Sequence, residues 1–86
     1  MNILFHGNVQ TYTLGELKHE EKNAQNIRSL IDLLGNRYGE AFKAFLLAKD
    51  TCIILVNGKG IMTTGGLDTP LQSTDKVEVL PFVDAG

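Results

Sequence analysis

Apolar positions along the chain fall into short runs and one long stripe, and their spacing predicts the elements. Asn2 to Gly7 holds Ile3, Leu4 and Phe5 and reads as a strand. Asn8 to Leu14, with Val9, Tyr12 and two threonines, reads as a second strand or hairpin return, with Gly7-Asn8 as the turn. Gly15 to Gln25 is charged and polar and reads as a connection. Ile27, Leu30, Ile31 and Leu34 then recur at three- and four-residue spacing, which predicts a helix with one apolar face. Asn26 stands where its side chain can cap that helix, which ends at Gly35 or runs through it to Tyr38 and stops at Gly39. A shorter helical pattern begins at Glu40, with Ala41, Phe42, Phe45 and Leu46 as its buried face.

Thr51 to Val56 is the most apolar stretch, short and β-branched, and is expected to form a central strand covered on both sides. Asn57-Gly58 is a strong hairpin-turn signal. Ile61-Met62 suggests a weak strand in a glycine-broken segment, and Lys76 to Leu80 forms the last strand before Pro81. A helix thus lies between an N-terminal strand pair and C-terminal strands. One mixed sheet is available to cover its apolar stripe. The expected class is α+β, a β-grasp (ubiquitin-like) fold: a mixed sheet of four to five strands on one main helix plus a short one. The first and last strands are expected to pair in parallel on grounds of topology.

Composition narrows the function classes. With 86 residues, 43% apolar content and a net charge of −2, the chain fits one domain without the basic excess a nucleic-acid backbone would need. No apolar run approaches the roughly 20 residues of a membrane span. The N-terminus lacks the layout of a signal peptide, and the single cysteine allows no internal disulfide, so a cytoplasmic location is expected. Cys52, in the most apolar strand, reads as a core residue. His6 and His19 are isolated, and no metal site is expected. Gly58-Lys59-Gly60 lacks the spacing of a phosphate loop, and no Ser/His/Asp or Cys/His arrangement is present, so no catalytic residue is assigned.

The closing strand carries the most information. Val77 and Val79 point to one face, Glu78 and Leu80 to the other. An exposed leucine is ordinary on any protein. Leu80, however, stands beside Phe82 and the terminal segment, where an apolar docking patch would be useful. Pro81 is expected to end the ladder. This gives a body over 1–81 and an extended tail over 82–86, Phe82-Val83-Asp84-Ala85-Gly86, thin enough to enter a narrow site on a partner.

The chain resembles the MoaD/ThiS family of ubiquitin-like sulfur carriers, which end in a diglycine. The resemblance runs from Ile3-Leu4-Phe5 through the helix near Ile27 and Leu55-Val56-Asn57-Gly58 to the segment Asp75–Gly86, which is its most specific part. The resemblance implies that the carboxylate of Gly86 is adenylated by a ubiquitin-activating-type partner enzyme using ATP. Sulfur then converts it to a thiocarboxylate. The carrier binds no cofactor of its own, and the catalytic groups sit on partners. Leu80 and Phe82 would dock the partner, and Val83, Asp84, Ala85 and Gly86 would enter its site. The segment Glu40–Leu47 favours the molybdopterin branch, whose partner is the large synthase subunit. Gln10 stands where members of that branch often carry an arginine that meets this subunit. Ala85-Gly86 replaces the family's Gly-Gly, adding a β-carbon next to the reacting end. A ubiquitin-like interaction module, a protein modifier and a thiamin-type carrier are the alternatives.

Overall fold

A computed structural model describes residues 1–48 and 51–82. Among them, β1 (Asn2–Phe5), β2 (Lys18–Glu20), β3 (Cys52–Val56), β4 (Lys59–Gly60) and β5 (Lys76–Pro81) form one sheet in the order β2-β1-β5-β3-β4. The pairing of β1 with β5 is parallel, with Phe5 beside Val79, and the other pairings are antiparallel. Helices α1 (Ile27–Tyr38) and α2 (Glu40–Leu47) connect the β1–β2 pair to β3. This is the β-grasp arrangement.

Local chemistry accounts for the helices. Asn26 Oδ1 accepts from the Ser29 amide at 2.8 Å, while Ser29 Oγ accepts from the Asn26 amide at 3.1 Å, so two free donors at the start of α1 are satisfied reciprocally. Gly35 does not end the helix. A Cβ there would lie 2.9 Å from Lys43 Cβ, so glycine is what lets α2 come close to α1. Gly39 ends α1 with φ +112°, and its amide donates to Gly35 O at 2.8 Å.

Ile27, Leu30, Ile31 and Leu34 of α1 are buried against Ile3, Phe5, Ile54, Val56, Val77 and Val79 from the sheet. The Phe42 ring is completely buried in an aromatic cluster, with ring centroids of Phe5, Tyr12, Tyr38 and Phe45 within 5.6–6.2 Å.

Three expectations change. The segment after β1 is not a strand: Gly7–Thr11 is a 3₁₀ turn, entered at Gly7 with φ +59°. Spacing of three brings Val9 and Tyr12 to one side, Val9 buried and Tyr12 packed against the core. The partner of β1 lies instead in the charged connection, at Lys18-His19-Glu20. A polar edge strand has no apolar alternation to announce it, and its charges discourage further pairing. Ile61–Thr63 is likewise a 3₁₀ turn, and the pairing there is made by Lys59–Gly60. The Asn57-Gly58 turn forms as expected, both residues having positive φ.

β3 is covered on one face only. Ile54 and Val56 are buried, whereas Ile53 is exposed and Leu55 half-buried. α1 and α2 cover the inner face, and nothing among the described residues covers the outer one. No helix among the described residues is long and apolar enough to cross a membrane.

Candidate functional site

The C-terminal end of β5 is the structural centre of the candidate site. Register places Leu80 opposite Ile53, and Glu78 opposite Leu55 on one side and Leu4 on the other. Directly paired residues share a face, so Leu4, Ile53, Leu55 and Leu80 surround Glu78 on the outer face of the sheet.

Glu78 does not stand alone there. His6 Nε2 lies 3.0 Å from Glu78 Oε2, and Lys76 Nζ lies 3.8 Å from Oε1. His19, also read as isolated, is 3.2 Å from Glu21 Oε1. The His6 contact arises from the pairing of distant segments, which residue spacing does not reveal, whereas His19 and Glu21 are two residues apart at the end of β2.

β5 continues through Pro81, which pairs with Cys52. β1 has already ended at this level, so the missing proline N–H interrupts no bond to it. The Phe82 amide then donates to Thr51 O at 3.1 Å, one backbone bond beyond the proline. On the other side of β5, a Cβ on Gly7 would come within 3.0 Å of Pro81 Cγ. Positive φ and this close approach both require glycine at that position.

Gln10 follows β1, and Leu80 and Phe82 close β5, at the same end of the parallel β1–β5 pair. Gln10 is on the β1 side, half-buried, its Nε2 donating to Phe5 O at 3.2 Å. Leu80 is half-buried on the outer face, and Phe82 lies toward β3, half-exposed. Val83, Asp84, Ala85 and Gly86 lie outside the described residues.

The Phe82 side chain lines an apolar groove of about 460 Å³ between the end of α2, β3 and the segment after β4. Cys52, Ile53, Leu46, Leu47, Met62 and Leu67 also line it. Cys52 is therefore half-buried at a groove wall rather than enclosed in the core. Its Sγ–H points toward Phe45 O at 3.8 Å, and burial pushes the thiol up from its ordinary value, with a smaller opposing effect from Thr51. Such a thiol stays neutral at physiological pH and is a poor nucleophile. Nothing in their own spacing marks Leu47, Ile53 and Met62 as surface residues. The register opposite Leu80 is the signal that would have turned Ile53 outward, and the glycines around Met62 already argued against a covered position.

No curated protein sequence matches this one significantly. Solved structures do. A chain of the Amycolatopsis orientalis BexX/CysO complex superposes with a TM-score of 0.83 at 24% identity, covering 99% of this chain and 98% of that one. The small archaeal modifier protein 1 of Methanosarcina acetivorans gives 0.81 at 22% identity, covering 99% and 94%. A chain of the complex of subunits 1 and 2 of the molybdopterin-converting factor from Helicobacter pylori gives 0.65 at 24%, covering 99% and 96%. At these identities the superpositions establish a common fold and do not single out a molybdopterin branch. The model of the ThiS family, by contrast, matches the sequence continuously over residues 3–86, from the first strand through the terminal glycine, and the chain therefore belongs to the ThiS family.

Proposed function

We propose that this protein is a sulfur carrier whose reacting group is the carboxyl of Gly86. The observation that carries the reading is the family match extending through residue 86, past the folded strand and into the terminal Val-Asp-Ala-Gly segment. A carboxylate is a poor electrophile. Attack of its oxygen on the α-phosphorus of ATP, with departure of pyrophosphate, makes an acyl adenylate that a persulfide sulfur can attack in turn. AMP then leaves and an acyl disulfide remains. A second thiol on the partner attacks the partner's own sulfur in it, so that the S–S bond breaks, a disulfide forms on the partner, and the thiocarboxylate freed on Gly86 donates the sulfur. The catalytic groups for these steps belong to the adenylating partner, which also uses the ATP. Leu80, Phe82 and Gln10 form the docking end, and Val83, Asp84, Ala85 and Gly86 enter the partner's site.

The acceptor we propose is a pterin precursor on the way to a molybdenum or tungsten cofactor, held by the large subunit of molybdopterin synthase. The second helix, Glu40–Leu47, supports this branch. A second reading, joining of Gly86 to a lysine of another protein, is motivated by the same thin tail and terminal carboxyl. Both readings require activation of the same carboxyl. Exchange of labelled pyrophosphate into ATP, catalysed by the adenylating enzyme of the same cell, should depend on the wild-type chain and vanish when Ala85-Gly86 is deleted. Undiminished exchange with the deleted chain contradicts both readings.

A further inference from the structure

Six large apolar side chains are exposed among the described residues, and four of them border one groove: Leu47 (48% exposed), Ile53 (41%), Met62 (89%) and Phe82 (48%). The other two, Leu14 and Leu17, precede β2 at the opposite edge of the sheet. Among the described residues, no charged or amide side chain lines the groove. A concentration of uncovered apolar surface of this kind marks a binding site, and its complement must itself be apolar.

The tail states which partner reaches it. Phe82 is both a wall of the groove and the point from which the tail departs. Four residues separate it from the Gly86 carboxyl, a reach of at most ~14 Å at ~3.3–3.6 Å per residue. A protein that closes on that carboxyl has its own surface within this distance of Phe82, which is itself a wall of the groove. We infer that the enzyme that adenylates Gly86 docks an uncharged segment of aliphatic or aromatic side chains into the groove formed by Leu47, Ile53, Met62 and Phe82. This deepens the sulfur-carrier reading and rests on it. The groove adds binding energy beside the tail, where each activated carrier must engage and leave, so its loss should appear in KM for the carrier and not in kcat.

The test uses the full chain and the adenylating enzyme of the same cell that supports pyrophosphate exchange with it. Met62→Asp changes a side chain that is almost wholly in solvent, so folding is retained and is checked by thermal melting. A charge set against an apolar docking segment should raise KM for the carrier by at least about tenfold, with kcat within about twofold of wild type. Met62→Leu should restore wild-type KM, and Leu17→Asp, at the far edge of the sheet, should leave it unchanged. If Met62→Asp matches wild type while deletion of Gly86 abolishes exchange, the groove assignment is overturned and the carrier reading stands. Equal losses for Met62→Asp and Leu17→Asp also overturn it, because the effect then lacks a location. If no adenylating enzyme of that cell exchanges pyrophosphate in response to the wild-type chain, both readings fall together.

Discussion

At the scale of single residues, two aromatic side chains carry measurable consequences. Phe42 is completely enclosed, with the rings of Phe5, Tyr12, Tyr38 and Phe45 around it. Phe42→Ala should cost about 3–5 kcal/mol, a large share of the ~5–15 kcal/mol available to a typical domain, and urea titration will show it as a lower midpoint. Tyr38 donates its phenol hydrogen to Glu16 Oε2 at 3.1 Å, while the Arg37 guanidinium lies 5.4 Å from its ring. Burial pushes the Tyr38 phenol above its ordinary value, and Arg37 opposes the shift. A folded-state value above the unfolded one means that the stabilisation is complete below about pH 10 and is lost as the pH rises through the folded value. The urea midpoint of the wild type should therefore fall more steeply above about pH 10 than that of Tyr38→Phe. Equal slopes would contradict this.

At the scale of elements, the clearest case is the junction of α1 and α2. Alanine is normally worth up to about 1 kcal/mol over glycine inside a helix. At Gly35 a Cβ meets Lys43 Cβ at 2.9 Å, an atom fixed close to the α2 backbone, so α2 must move to admit it. Overpacking of this kind costs about 1–3 kcal/mol. Gly35→Ala should therefore lower the thermal midpoint despite its better helix propensity, whereas a raised midpoint would mean that α2 shifts freely. The same elements mark how far the fold could be read from residues. Ile27, Leu30, Ile31 and Leu34 announced α1, and Asn57-Gly58 announced its hairpin, because helix periodicity and turn chemistry are local. β2 stayed hidden because Lys18-His19-Glu20 is recognisable as a strand only through its partner Asn2–Leu4. Gly7–Thr11 reads as extended from its residues because Val9 and Tyr12 fit either spacing until Gly7 turns the chain.

At the scale of the whole molecule, the parallel pairing of β1 with β5 brings the end of the first strand to the end of the last, so that Gln10, Leu80 and Phe82 share one end of the sheet. The outward placement of Leu80 and the closing strand are legible from alternation alone. The groove was not, since its walls come from α2, β3 and the turn after β4, and only packing assembles them. The central claim is chemical: a partner converts the Gly86 carboxyl to a thiocarboxylate. The most direct measurement is the intact mass of the full chain purified from its own cells with its adenylating enzyme overproduced. The expected result is a second species heavier by one sulfur in place of one oxygen, with the substitution mapped to Gly86 by fragmentation and absent from the chain lacking Gly86. A single unmodified species under those conditions would contradict it.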